Sequence, residues 1–208
     1  MSFKEVWHHR LKYMLTPQLD LYKHINQYID QRYHTVTPEE PGFARQHVYV
    51  LDYGCGTGFG SIQMRVPGTQ TVDGLDSDIT AIRFAIEVFG QLVDFNLYDF
   101  ENANPTKRMR GRYDVVTCIE VLEHVERPDV VLSRIHDVMT EDGIAICSTL
   151  NHNSQYRKND DHKSPFTVES FRKLLEAEFN DVHMTDYMLN GCLDTNSTIT
   201  PIVGIVKK

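Results

Sequence analysis

A glycine-rich loop follows the first strongly apolar segment of the chain. Residues 48–58 read VYVLDYGCGTG, which predicts a strand, a turn and the beginning of a helix. Glycine has no Cβ, so a ligand can approach the backbone of such a loop closely. A dinucleotide fingerprint would need a third glycine where Phe59 or Ser61 stands. A nicotinamide oxidoreductase is therefore the less favoured interpretation.

Carboxylates placed around this loop indicate which ligand it holds. Asp52 precedes the glycines and would repel a pyrophosphate, whereas it would attract the ammonium and sulfonium groups of S-adenosylmethionine. Asp76 ends the next predicted strand, 22 residues after Gly54, and can accept both hydroxyls of a ribose. Asp99 offers an acceptor for an adenine amino group, and Phe100 offers a stacking surface beside it. The cofactor loop itself is predicted to comprise Gly54, Cys55, Gly56 and Gly58.

A second cluster of reactive residues follows the fourth predicted strand. Glu120, Glu123 and His124 would lie on one face if this segment forms a helical turn. Two carboxylates and an imidazole that converge there repel each other unless a cation or a bound substrate balances them. Their position at the carboxyl end of a strand is where ligands bind in parallel sheets. His124 and Glu123 are therefore candidate catalytic residues.

Short apolar segments that alternate with amphipathic ones must position these residues. The predicted helices lie at 17–32, 60–65, 78–89, 128–139 and 167–179, with a further helix at 3–15. The predicted strands lie at 47–53, 71–76, 93–97, 113–119, 143–149, 182–187 and 200–206. This alternation predicts an α/β fold with a doubly wound, mostly parallel seven-stranded sheet and helices on both faces.

Composition narrows the class of protein. The chain has 208 residues, a net charge of −8, 41% hydrophobic and 24% charged residues, which is typical of a single globular domain. The acidic balance argues against duplex DNA as a partner, and no apolar run is long enough to span a membrane. Four scattered cysteines and the absence of a signal-peptide pattern lead us to expect a cytoplasmic protein.

The motifs together resemble those of the class I S-adenosylmethionine-dependent methyltransferases. LDYGCGTGFG is similar to the family's first motif, VDGLDSD to its second and YDVVTCIEVLEHV to its fourth. The resemblance implies the Rossmann-like methyltransferase fold, with N-terminal helices over the cleft. It also implies that Ile79 packs on the adenine and that Cys118 and Ile119 line the methionine end of the cofactor site. We expect one methyltransferase domain over 1–208: a cap at 1–45, a cofactor-binding core at 46–150 and a substrate-side region at 151–208.

Within that family, the EVLEH segment resembles two metal-dependent branches. One comprises the ubiquinone-biosynthesis O-methyltransferases, and the other the small-RNA 3′-terminal 2′-O-methyltransferases. The second resemblance implies that Glu120, Glu123, His124 and His162 bind a divalent ion, with Mg²⁺ or Mn²⁺ suited to such ligands. The alternative is that no metal binds and that His124 acts as a general base or only forms a hydrogen bond across the cleft.

The acceptor is less well specified by the sequence. A small-molecule oxygen acceptor is favoured over an RNA 3′ end, and a non-catalytic S-adenosylmethionine-binding subunit is the other alternative. Support for RNA would come from basic residues at 107–112, together with Arg157, Lys158 and Lys163, acting on a few phosphates. A solvated charged segment explains the same residues and is the preferred interpretation.

Overall fold

The fold is described from a computed structural model. The described residues are 17–34, 47–67, 70–152, 163–189, 191, 193 and 201–208. The predicted helix at 3–15 lies outside them, as does His162.

Seven strands form one sheet in the order β3-β2-β1-β4-β5-β7-β6. The strands are β1 Val48–Tyr53, β2 Gln70–Asp76, β3 Asp94–Leu97, β4 Tyr113–Ile119, β5 Met139–Thr149, β6 Asp181–Thr185 and β7 Ile202–Lys207. The first five pair in parallel, and β7 runs antiparallel to both β5 and β6. The order reverses between β1 and β4, and ligands of such sheets bind at the carboxyl ends of the strands beside that reversal.

Helices cover both faces of the sheet. They are α1 Pro17–Ile29, α2 Phe59–Gln63, α3 Ile79–Phe89, α4 Pro128–Val138 and α5 Val168–Glu176. One apolar cluster joins α4 and α5 to the sheet, and the other joins α1 and α3 to its opposite face. Every residue of β4 is buried, because this central strand is covered on both sides. The predicted doubly wound fold is confirmed.

The boundaries differ from the predicted ones by a few residues in most elements. The clearest case is β5, which begins at Met139 rather than at residue 143, because the chain passes directly from α4 into the strand. Near the other end of the chain, α5 begins after Thr167, whose hydroxyl accepts a hydrogen bond from the Ser170 N–H. These shifts leave the strand ends that carry the predicted site unchanged.

Candidate active site

The glycine loop turns sharply at the carboxyl end of β1 and is fastened to β2. Gly54 and Cys55 both donate their N–H groups to the carbonyl oxygen of Leu75, each over 2.8 Å. Gly54, Gly56 and Gly58 have φ angles of 95°, 54° and 82°, which side chains rarely tolerate. The predicted cradle is therefore built mostly of backbone at the point where the strand order reverses.

Asp76 holds this loop in place through its carboxylate oxygens. One of its carboxylate oxygens accepts the Gly56 N–H over 2.7 Å, and the other accepts the Asp78 N–H over 2.8 Å. A carboxylate oxygen can accept more than one hydrogen bond, so these bonds are compatible with the predicted ribose role. The sequence spacing indicated the ribose role for Asp76 but gave no signal of its bond to Gly56.

Asp52 lies beneath the loop and is completely buried. Its carboxylate accepts hydrogen bonds from Ser61 Oγ at 2.6 Å, Thr117 Oγ1 at 2.9 Å and Tyr22 Oη at 3.2 Å. Burial raises the pKa of Asp52 to about 6, although the three hydroxyl donors oppose that shift. We therefore infer that Asp52 supports the glycine loop and adds negative charge beneath it. Its hydrogen bond from Tyr22 also links α1 to the site.

The predicted adenine side is formed by the ends of β2 and β3. Ile79 is 45% exposed at the first turn of α3, so its side chain is available to a ligand. Both carboxylate oxygens of Asp99 accept hydrogen bonds from groups of residues 101 and 102, which lowers the pKa of Asp99. Phe100 is buried and packs on Tyr53 with ring centroids 4.7 Å apart. Phe100 is thus placed as support for this loop, whereas Asp99 is exposed at its surface.

Two residues that the sequence analysis did not single out hold the loop after β3. Arg134 of α4 is buried and donates to the carbonyl oxygens of Phe100 and Glu101. The Glu101 carboxylate accepts the N–H groups of residues 126 and 127, over 3.0 and 2.8 Å. The predicted adenine loop is therefore fastened to the segment that follows β4.

Glu120 begins that segment in an unusual backbone conformation. Its φ angle is 53°, in the left-handed region, while its N–H donates to the carbonyl oxygen of Ser148 over 3.0 Å. Non-glycine residues in this region cost free energy and often occur at active sites. Burial and the neighbouring charge of Glu123 raise the pKa of Glu120 to about 8. Two carboxyl groups therefore share the carboxyl end of β4.

The predicted one-faced helical turn of Glu120, Glu123 and His124 is not what forms. Only Leu122–His124 makes a short 3₁₀ turn, because the left-handed Glu120 breaks the helix. Glu123 is buried, and its Oε1 accepts the Leu150 N–H over 3.3 Å, while its Oε2 has no hydrogen-bond partner among the described residues. His124 is exposed instead. The structure thus brings the two glutamates together and leaves the His124 side chain exposed.

Within the described residues, no group of three or more His, Cys, Asp or Glu side chains is arranged to hold a metal ion. That set includes Glu120, Glu123 and His124, whereas His162 lies outside it. The unpartnered Oε2 of buried Glu123 is nevertheless a hard oxygen of the kind that divalent ions bind. The described residues therefore do not by themselves form the predicted four-ligand site.

Cys118 and Ile119 end β4 on opposite faces of the sheet. Cys118 is fully buried among the residues under α4, and Ile119 is 7% exposed on the α1 side. Because successive side chains of a strand alternate, only Ile119 lies on the face that α1 covers. We keep Ile119 as a candidate for the methionine end, with Cys118 as part of the core beneath it.

Comparison with known proteins decides the family. A family profile described as "Methyltransferase domain" matches residues 22–184. The chain belongs to the methyltransferase domain family. With its sheet order and motifs, it is a class I S-adenosylmethionine-dependent methyltransferase, as the sequence motifs predicted.

Individual relatives of this methyltransferase share about half of its length. The ubiquinone biosynthesis O-methyltransferase of Shewanella halifaxensis is 40% identical over 111 residues, which are 50% of this chain and 44% of that protein. Its counterpart in Azotobacter vinelandii is 32% identical over 127 residues, 58% of this chain and 54% of that protein. The chain thus spans about half the length of these relatives.

Solved structures share the fold over nearly the whole chain. The plantazolicin methyltransferase BpumL in complex with SAH has a TM-score of 0.69 at 15% identity, covering 98% of this chain and 90% of that one. A TehB-like SAM-dependent methyltransferase from Corynebacterium glutamicum has a TM-score of 0.62 at 15% identity, covering 98% and 97%.

The basic segment at 107–112 lies at the wrong edge of the sheet for an RNA end. It directly precedes Tyr113, the first residue of β4, whereas the site follows Ile119 at the other end. A seven-residue strand is ~20 Å long, so this length separates the basic segment from the site. Arg110 and Arg112 also pair with Asp137 at 2.8 Å and Asp73 at 3.4 Å. The interpretation of this segment as a charged surface is favoured.

The methyltransferase has no helix, among its described residues, that combines the length and apolar character needed to cross a membrane.

Proposed function

We propose that the methyltransferase transfers a methyl group from S-adenosylmethionine to an oxygen of a small-molecule acceptor. The observation that carries this proposal is the pair of glutamates at the carboxyl end of β4. An oxygen acceptor must lose a proton as it attacks the sulfonium methyl group, and a carboxylate close to the reacting atoms can receive it. The ubiquinone-biosynthesis relatives, which are O-methyltransferases by name, support the same class of acceptor.

Packing supports a position of this pair beside the proposed cofactor. Val121, which separates Glu120 from the 3₁₀ turn, packs so closely on Gly54 that a Cβ there would overlap its Cγ2 atom. The glycine loop and the glutamate segment are thus in van der Waals contact. Glu120, with its raised pKa, is positioned to take the acceptor proton, and Glu123 supplies a buried negative charge next to it.

We also propose that the glutamate pair holds a divalent ion. Glu120 and Glu123 would provide oxygen ligands, and His124 and His162 would complete the set if His124 turns inward. A bound ion supplies a Lewis acid that lowers the pKa of an acceptor hydroxyl. It would also offset the repulsion that raises the pKa of Glu120, because an adjacent positive charge favours the ionised carboxylate.

The test follows methyl transfer from labelled S-adenosylmethionine into two pools, one of hydroxylated small molecules and one of small RNAs. We expect label on an oxygen of the first pool, and little effect of added salt, because no phosphate backbone takes part. Labelled RNA with a steep salt dependence would contradict the proposal for the acceptor.

The metal is tested by exhaustive chelation of the same protein. Chelation is expected to abolish methyl transfer, while S-adenosylhomocysteine still binds through Asp76 and the glycine loop. The thermal unfolding transition should change little, because the two apolar clusters do not involve the glutamate pair. Full activity after chelation would refute the ion and leave Glu120 as the unassisted proton acceptor.

A further inference from the structure

The buried carboxylate of Asp52 is held by hydroxyl groups from three separate elements. Ser61 Oγ of α2 donates to one oxygen over 2.6 Å, while Thr117 Oγ1 of β4 and Tyr22 Oη of α1 donate to the other over 2.9 and 3.2 Å. Among the described residues, no Lys or Arg forms an ion pair with this carboxylate. Neutral hydroxyl donors therefore stabilise the negative charge beneath the glycine loop.

Tyr22 differs from the other two donors because α1 lies outside the segment that runs from β1 through the loop to α2. Its ring packs so closely on Gly60, in the first turn of α2, that a Cβ there would overlap the ring. Tyr22 thus contacts the carboxylate through its hydroxyl and the helix after the loop through its ring. Leu21, Ile25 and Ile29 are fully buried and hold α1 on the sheet independently of that hydroxyl.

The charge of Asp52 bears on the cofactor because S-adenosylmethionine carries an ammonium and a sulfonium group. A negative charge nearby attracts both, and a buried charge is less screened by salt than an exposed one. Burial raises the pKa of Asp52 to about 6, and the three hydroxyl donors oppose that shift because they favour the ionised form. The loss of one donor should therefore raise the pKa further.

Other titratable groups surround Asp52 on α1, the loop, β2 and β4, namely Tyr22, Cys55, Asp76 and Cys118. Burial raises the pKa of Tyr22 and of Cys55, whereas hydrogen bonding with Cys147 and burial raise that of Cys118. The phenol and both thiols are therefore neutral near pH 6. The charge of Asp76 adds to the rise in the pKa of Asp52.

We propose that Tyr22 is a positioning residue of the cofactor site, whose hydroxyl orients the Asp52 carboxylate beneath the glycine loop and favours its ionised form. The docking of α1 thereby strengthens the binding of the cationic cofactor through Asp52. The inference concerns the cofactor side of the site and does not depend on the nature of the acceptor.

Calorimetric binding of S-adenosylmethionine between pH 5 and pH 8 tests this role in the wild type and in Tyr22→Phe. The affinity of the wild type should fall as the pH decreases through about 6, because protonation removes the charge of Asp52. Phe keeps the ring that packs on Gly60 and removes one donor, so the fall should begin about one pH unit higher. At pH 6.5 the variant should bind about 3-fold less tightly than the wild type, and at pH 8 the two affinities should agree within about 2-fold.

Tyr28→Phe is the matched control, because it removes a phenol hydroxyl from the same helix and Tyr28 packs on the same apolar cluster. Its pH profile should coincide with that of the wild type. Asp52→Asn should abolish the fall in affinity between pH 7 and pH 5, which identifies the group that titrates. The midpoint of thermal unfolding at pH 8 shows whether each variant is folded.

A loss of affinity in Tyr22→Phe that is equal at every pH would overturn the proposal, as would a profile identical to that of the wild type. Ser61→Ala removes the donor to the other oxygen and serves as a second variant if Tyr22→Phe does not fold. Its profile should shift in the same direction, and an unshifted profile would show that the ionisation of Asp52 does not control binding. None of these measurements requires methyl transfer, so their outcome is independent of the proposed acceptor.

Discussion

Replacing Glu120 with Gln is expected to lower the turnover number for methyl transfer by at least about 100-fold, the usual contribution of a positioned proton acceptor. The amide keeps the size and shape of the side chain but can neither accept the acceptor's proton nor act as a charged metal ligand. Binding of S-adenosylhomocysteine should change little, because the loop contacts of Asp76 do not involve Glu120. Single-turnover kinetics and calorimetry measure the two effects separately.

Glu126→Gln is the matched control for this variant. Glu126 lies in the same segment, is exposed and pairs with Lys163 at 3.1 Å on the surface. Its replacement should leave turnover within a factor of about two, since exposed ion pairs contribute little. If Glu120→Gln retains wild-type turnover, the glutamate serves only the turn after β4, and the proposed role in proton transfer is wrong.

Replacing Gly54 with Ala should prevent the cofactor site from forming. The new Cβ would overlap Val121 Cγ2, and the φ angle of 95° disfavours any side chain. Overpacking of this kind costs about 1–3 kcal/mol, and the backbone strain adds to it. We expect a lower midpoint of thermal unfolding together with undetectable binding of S-adenosylhomocysteine.

Gly56→Ala separates loss of folding from loss of binding. A Cβ at Gly56 meets no atom within 4 Å, and its φ angle of 54° lies in the ordinary left-handed region. This variant should unfold close to the wild-type temperature, at a cost of about 1–2 kcal/mol at most. It should nevertheless bind S-adenosylhomocysteine less tightly, because the Cβ projects into the space proposed for the ligand. A Gly54→Ala protein with wild-type stability and binding would contradict the packing described between the loop and Val121.

The fold could be predicted from the sequence because the residue patterns that specify its elements are local. Apolar strands, helix caps and glycines recur at the spacing of a doubly wound sheet, and the strand ends then follow from topology. The same reasoning located Asp76 and Glu120 at the carboxyl edge. The sequence did not reveal the hydrogen-bond partners of these two residues. The bonds of Asp76 to Gly56 and of Glu120 to Ser148 join segments that are far apart in the chain.

The backbone conformation of the segment after β4 shows the limit of this reasoning most clearly. A helical turn would place Glu120 and His124 four residues apart on one face, and the spacing alone favours that arrangement. The hydrogen bond from Glu120 to β5 instead holds its backbone in the left-handed region and ends any helix there. Likewise, the sequence predicts that Phe100 stacks on a ligand, whereas its ring packs on Tyr53. Burial of a large aromatic ring in the core is favourable, and the sequence does not show which ring it contacts.

Calorimetric titration of the purified protein with S-adenosylhomocysteine, and separately with NAD, tests the central claim most directly. Saturable binding of S-adenosylhomocysteine is expected, with none for NAD, and Asp76→Ala should weaken that binding at least about 10-fold by removing a charged acceptor. Saturable binding of NAD without binding of S-adenosylhomocysteine would contradict the assignment of the glycine loop and Asp76 to this cofactor.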